Sequence, residues 1–167
     1  RNVSESTIDY RADGSARQRL GVQLRGRTAG IIGYGAIGSY LARLLREVGM
    51  RVVVTDPAVT VADDGFEQCD LPELLRQADF VLPLAPSMVS TENLIDAAAL
   101  ELVRPGTMLV NVSRGELLDE AAVAAALDSG RLGGLAMDVG RAPDQRPSPD
   151  LARRPGVVAT PHLGGLT

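Results

Sequence analysis

GIIGYGAIGSYLARLLREVGMRVVVTD, residues 30–56, decides the fold. The run Thr28–Ile32 leads into Gly33-Tyr34-Gly35-Ala36-Ile37-Gly38, a G-x-G-x-x-G pattern. Ile37, Leu41, Leu44 and Val48 then recur at helical spacing on one face, and Gly49 stands where a helix stop belongs. A second apolar run, residues 52–54, ends at Asp56, eighteen positions after Gly38. The glycines alone would say little. Strand, glycines, helix, strand and acid in this register specify a dinucleotide site.

Each residue type has a physical reason. Gly33 permits the tight turn out of the strand, and Gly35 lets the backbone approach a pyrophosphate closely. Gly38 allows the helix to pack on the sheet, while the helix N-terminus offers free N–H groups and the positive dipole end to phosphates. Ala36 and Ile37 belong to the same phosphate turn. The Asp56 carboxylate accepts hydrogen bonds from an adenosine ribose diol and repels a 2′-phosphate. No Arg or Lys between positions 57 and 68 could receive such a phosphate, so NAD is expected over NADP.

Outward from this unit, strands and helices keep alternating. Asp70-Leu71-Pro72-Glu73 reads as a helix start, with Leu71, Leu74, Leu75 and Ala78 as its apolar stripe. Residues 80–82 form a short strand, 96–103 a helix ended by Pro105-Gly106, and 107–110 a strand. An Ala-rich helix over 119–128 closes at Gly130, and 132–139 is a further strand. Residues 141–155 hold four prolines and read as a surface excursion before a last strand at 157–159. Strands separated by single helices require crossover connections. The expected class is therefore α/β: a doubly wound parallel sheet, a Rossmann domain over residues 24–167. Residues 1–23 are expected to be an irregular N-terminal arm.

A chain of 167 residues can bury one core, and with aromatics at 3% that core falls to Ala, Val, Leu and Ile. The net charge of −4 argues against a nucleic-acid surface. The first 27 residues hold six arginines against Glu5, Asp9 and Asp13, a local +3 that leaves −7 for the remainder. A subunit contact explains that arm better than an RNA-binding tail. There is no lysine, which excludes Schiff-base and P-loop kinase chemistry. Cys69 is the only cysteine, so no disulfide framework or cysteine-based zinc site is available, and it reads as an inert loop thiol. No metal is expected. With no apolar run of spanning length and no signal peptide, a cytoplasmic protein is the expectation. The polar stretch before Leu24 and the stop at Thr167 suggest part of a longer protein.

A second constellation follows from the rule that ligands sit beyond the carboxyl ends of the strands. Asn111-Val112-Ser113-Arg114-Gly115, Asp138 and Thr160-Pro161-His162-Leu163-Gly164-Gly165 all come at such ends. An arginine fork suits a carboxylate, and a histidine suits proton exchange with a hydroxyl or carbonyl oxygen. Alone, Arg114 could pair with Glu116 and His162 could be a turn residue. Placed together after strands of a dinucleotide fold, they suit hydride transfer on an α-hydroxy or α-keto acid.

Here the chain resembles the D-isomer-specific 2-hydroxyacid dehydrogenases. The carrying stretches are Leu24-Arg25-Gly26-Arg27-Thr28 with GIIGYGAIG, Arg104-Pro105-Gly106, Asn111-Val112-Ser113-Arg114-Gly115, residues 133–139 and residues 160–165. The resemblance implies an NAD-binding domain flanked by segments that build a separate substrate domain. Carried over by position, Arg114 looks like the substrate-carboxylate and carbonyl-polarising arginine and His162 like the acid/base. Ala85-Pro86 matches the stretch lining the adenosine side. Val112, Ser113 and Gly164 lie along the cofactor, and Asp138 matches the acid near the nicotinamide carboxamide.

There are two departures. The family's glutamate five residues after this aspartate, which pairs with the histidine, is replaced by Pro143; Asp144 follows one place later. A one-residue shift in the loop would aim Asp144 at His162, and otherwise His162 has no carboxylate partner here. The expectation is that Asp144 takes the role. The family's histidine at the position of Leu84 is also absent, which points to an atypical substrate pocket. The resemblance implies a homodimer acting on a small 2-hydroxy acid. Formate- or phosphite-type oxidation and a corepressor-like NAD-sensing module are the alternatives.

Overall fold

In the computed structural model, which describes residues 2–14, 21–62 and 65–165, the strand that precedes the glycines is buried along its whole length. That strand, β1 (Thr28–Ile32), pairs in parallel with β2 (Arg51–Thr55) on one side and β4 (Phe80–Pro83) on the other. With β3 (Glu67–Gln68), β5 (Thr107–Asn111), β6 (Leu132–Met137) and β7 (Val157–Ala159) they make one sheet in the order β3-β2-β1-β4-β5-β6-β7, parallel throughout. The chain leaves β1 toward β2 and later returns to β4 on its other side. The loops after β1 and β4 therefore diverge, and a crevice opens at their carboxyl ends.

Side-chain alternation along the strands feeds two cores. Ile31, Val52 and Val54 pack with Ala42 of α2 (Ala36–Glu47). Ile32 and Val53 point the other way, into a larger cluster with Leu74 and Leu75 of α3 (Leu71–Gln77). That cluster extends through Ala99 and Leu100 of α4 (Ala97–Leu102) to Val123 and Ala126 of α5 (Glu120–Asp128). Helices thus cover both faces, as the alternating pattern requires. Asp70, Asp96 and Asp119 each accept first-turn N–H groups and start α3, α4 and α5, a cap worth ~1 kcal/mol.

Three features depart from the sequence reading. The arm read as irregular contains a helix, α1 (Asn2–Asp13). It lacks an apolar stripe, so periodicity could not reveal it. Residues 15–20 of the arm lie outside the described residues. The proline-rich excursion contains a short helix, α6 (Pro149–Ala152), started by Pro149 and anchored by buried Leu151. Finally, the apolar stripe read on α2 faces mostly outward, with only its Leu41 packed against the β1–β2 core. Ile37, Tyr40, Leu44 and Val48 are 71%, 61%, 45% and 48% exposed, while Gly38 and Ala42 meet the sheet.

Candidate active site

The glycine turn is built as its spacing requires. Gly33 adopts φ +103°, closed to side chains, and a Cβ there would stand 2.9 Å from the Ala85 nitrogen. A Cβ on Gly38 would lie 2.0 Å from the Gly33 carbonyl oxygen, so only glycine lets α2 start this close to the turn. Gly35 is the opposite case. A Cβ there would meet nothing within 4 Å, and no side chain caps the helix that begins after it. Ala36 and Ile37 form the first turn. An open approach to an uncapped helix N-terminus fits a pyrophosphate.

Asp56 sits at the end of β2, beside this turn. Its Oδ2 accepts the Tyr34 N–H at 2.7 Å, and Oδ1 accepts those of Ala58 at 2.8 Å and Val59 at 3.1 Å. Burial pushes the Asp56 carboxyl up, but these three N–H groups outweigh it and hold the group below its ordinary value. It is therefore a fixed anion at neutral pH. A cavity of about 680 Å³ runs from Gly33 and Asp56 to Ala85 and Pro86. Its walls include Pro57, Val59, Met88, Thr91 and Leu94, which the sequence reading did not single out, and Cys69. Cys69 lies, as expected, in a loop, the one between β3 and α3, where it is half-buried in this wall, and burial followed by Glu73 and Glu67 pushes its thiol up. Leu84, at the family's histidine position, packs with the β1–β2 core.

A second cleft, of about 690 Å³, brings together Val112, Ser113, Arg114, Asp138, Thr160, His162 and Gly164 at the ends of β5, β6 and β7. The β5 loop is shaped by Asn111, which is fully buried. Its Nδ2 donates to the Arg114 carbonyl at 2.8 Å, and its Oδ1 accepts the Ser113 N–H and hydroxyl, each at 3.1 Å. The Ser113 hydroxyl is also placed to donate to the Pro83 carbonyl at 2.8 Å, joining the loops after β4 and β5. Arg114 itself is exposed, with Nη1 donating to the Ser113 carbonyl at 2.7 Å. It makes no ion pair with Glu116 among the described residues.

Asp138, 7% exposed, organises the His162 loop. Its Oδ1 accepts the Thr160 hydroxyl and the Leu163 N–H (2.9 Å), and its Oδ2 accepts the Gly164 N–H (2.8 Å). The Thr160 hydroxyl lowers the Asp138 pKa most. Burial opposes it, the Gly164 and Leu163 N–H groups and the His162 imidazole add to it, and the net direction is down. The loop so gripped bends sharply. His162 has φ +57°, a conformation that costs a non-glycine residue of order 1–3 kcal/mol, and its N–H donates to the Thr160 carbonyl at 3.0 Å. Asn93 and Gln145 share this positive φ, and at His162 the buried Asp138 carboxylate holds the bend through Thr160, Leu163 and Gly164. Asn111 and Thr160 were legible only as loop residues, because their role lies in which main-chain groups they bond.

Asp144 does not meet His162 in this structure. Its Oδ1 accepts the Arg146 N–H at 3.1 Å, and its Oδ2 pairs with Arg146 Nε at 3.4 Å. No hydrogen bond or ion pair joins it to the imidazole among the described residues. The tight turn explains this: Gly140 and Gln145 bond through their backbones at 2.8 Å, and Gln145 takes φ +57°, which folds residues 140–147 onto themselves.

Comparison with known proteins agrees with this geometry. The D-isomer specific 2-hydroxyacid dehydrogenase, NAD binding domain family matches residues 1–164. The chain is 36% identical over 152 residues to an (S)-sulfolactate dehydrogenase of Chromohalobacter salexigens, covering 89% of this chain and 49% of that protein. It is 38% identical to a D-3-phosphoglycerate dehydrogenase of Mycobacterium tuberculosis, covering 93% and 31%. The NAD-complexed D-isomer specific 2-hydroxyacid dehydrogenase of Lactobacillus delbrueckii ssp. bulgaricus superimposes with a TM-score of 0.83 at 28% identity, over 98% of this chain and 55% of that one. The chain belongs to the D-isomer specific 2-hydroxyacid dehydrogenase family, as its NAD-binding domain, and NAD is the cofactor. It spans about half or less of the length of these relatives.

Proposed function

We propose that the complete protein transfers a hydride between NAD(H) and a small 2-hydroxy or 2-oxo acid. The observation that carries this is the joint presence of Arg114 and His162 in one cleft, continuous in fold with a dinucleotide turn. The pyrophosphate is held at Gly33, Gly35, Ala36, Ile37 and Gly38, the adenosine ribose by Asp56, and the base beside Ala85 and Pro86. Val112, Ser113 and Gly164 line the nicotinamide end. When bound, NAD supplies the two-electron hydride chemistry. Arg114 grips the substrate carboxylate and polarises its carbonyl oxygen. His162 exchanges a proton with that oxygen through an imidazole nitrogen.

Asp144 can serve His162 once it leaves Arg146. Both partners are more than half exposed, and an exposed pair of this kind is worth ~0.2–1 kcal/mol, so the exchange costs little. The protein acts in the cytoplasm. One cysteine leaves no disulfide framework to suit an oxidising compartment, and no helix among the described residues is long and apolar enough to cross a membrane.

The protein is also a homodimer. Ile37, Tyr40, Leu44 and Val48 form an exposed apolar row along α2, and α1 presents exposed Ile8 and Tyr10. A row of this kind on a charged chain marks a protein contact. The test of function is turnover by the complete protein with NADH and glyoxylate, pyruvate, phenylpyruvate and oxaloacetate. Turnover of at least one supports the proposal. Tight NADH binding with no turnover favours an NAD-sensing module instead.

A further inference from the structure

We infer that Arg141 is a positioning residue for Arg114. The inference rests on the proposed 2-oxo acid chemistry, in which Arg114 binds the substrate carboxylate. The 3₁₀ turn Gly115–Leu117 has Arg114 as its N-cap, and its Gly115 closely approaches Gly140 in the loop after β6. A Cβ on Gly115 would stand 2.2 Å from the Gly140 carbonyl carbon and oxygen, so the two backbones touch. The next residue, Arg141, reaches over this contact. Its Nε donates to the Leu118 carbonyl at 3.1 Å, and its Nη2 donates to the Glu116 carbonyl at 2.9 Å and to the Asn93 side-chain oxygen. Its Nη1 pairs with Glu92 at 3.4 Å.

The last carbonyls of a short helical turn have no partner within the turn; here the Asn93 and Ile95 N–H groups meet those of Glu116 and Leu117, and the Arg141 fork adds a second donor to Glu116 and one to the capping Leu118. Lysine could reach one of these oxygens but not span the set, because its ammonium is a single point on a flexible stem. The same fork ties the Arg114 turn to Glu92 and Asn93, in the loop that continues from Thr91 at the adenosine cavity. Arg114 is therefore set from both sides. Asn111 holds its carbonyl from the β5 end, and Arg141 holds the turn that follows. The Arg114 guanidinium is exposed and, among the described residues, bonds only the adjacent Ser113 carbonyl, so its aim depends on its backbone. A carboxylate grip is sensitive to that aim, since a misplacement of about 1 Å can cost on the order of a hundredfold. The His162 loop is held separately, by Asp138, and the Asp56 cradle lies across the sheet. Loosening the Arg141 staple should therefore be felt by the substrate carboxylate and not by NADH.

The test is steady-state kinetics of the complete enzyme with NADH and the most rapidly reduced acid of the four. For Arg141→Gln the expected result is a KM for the oxo acid raised on the order of ten- to a hundredfold, with KM for NADH within about twofold. Arg141→Lys, the milder change should the Gln variant fail to fold, is expected to raise the same KM several-fold. In an Arg114→Lys background, Arg141→Gln should add little, because it acts through the arginine already altered. An oxo-acid KM unchanged in both variants overturns the inference while leaving the function intact. So does a parallel rise in the KM for NADH, or effects that multiply in the double variant. No turnover by the parent removes the proposed function, and this inference with it.

Discussion

Gly164 donates its main-chain N–H to Asp138 Oδ2 at 2.8 Å, so a buried carboxylate at the end of β6 and the loop carrying His162 form one piece. A Cβ on Gly164 would come within 3.0 Å of that oxygen. The acid expected to face the cofactor thus spends its oxygens first on the protein, holding a histidine whose backbone is strained.

This gives a pH-dependent prediction. In the unfolded chain Asp138 titrates near 3.9, and in the native protein lower. Its contribution is complete above the unfolded value and is lost as pH falls through the native one. At neutral pH, Asp138→Asn should destabilise the complete enzyme by ~1–3 kcal/mol. Thermal unfolding should show the gap between variant and parent closing as pH drops below about 4. A gap that stays constant with pH would mean that the charge contributes nothing.

The glycines separate folding from binding. Gly38→Ala forces a Cβ against the Gly33 carbonyl and should cost ~1–3 kcal/mol or more in denaturant unfolding. Gly35→Ala enters open space and should leave stability within about 0.5 kcal/mol, yet weaken NADH at least about tenfold by obstructing the phosphate approach. Equal NADH affinity in Gly35→Ala and parent would remove the phosphates from this turn.

Cofactor choice rests on Asp56. NADH should bind at least about tenfold more tightly than NADPH, about 1.4 kcal/mol, by calorimetry. Equal affinities would show that the carboxylate, already engaged by three N–H groups, does not discriminate.

The outward row on α2 predicts the assembly. Sedimentation at micromolar concentration should give a dimer for the complete protein, and Leu44→Glu or Tyr40→Glu should shift it toward monomer. A parent that sediments as a monomer contradicts the dimer.

The doubly wound sheet was legible because its signals are local: a glycine pattern after a strand, an Asp cap at 70, and Gly or Pro at helix ends. Residue identity also pointed to Arg114 and His162, since both follow strands at the ligand end, and the fold brings them to one cleft. What escaped was relational. The α2 stripe looks like a core face by spacing, but of Ile37, Leu41, Leu44 and Val48 only Leu41 packs inward, and the small residues Gly38 and Ala42 meet the sheet, because closeness to the glycine turn demands them. Asn111, Thr160 and Arg141 bond main-chain groups that only the fold brings near. Asp144 was placed by counting from Asp138, and the Gly140–Gln145 turn redirects it to Arg146.

The most direct measurement of the central claim is NADH oxidation by the complete protein with the four 2-oxo acids, beside His162→Gln and Asp144→Asn. The account predicts turnover by the parent and a fall in kcat/KM on the order of 10²–10⁴ for His162→Gln, with NADH affinity little changed. Asp144→Asn should slow reduction by at least about tenfold. An unchanged rate there would leave His162 working without a carboxylate from this loop. A His162→Gln variant as fast as the parent, or a parent that binds NADH and reduces none of the acids, would contradict the account.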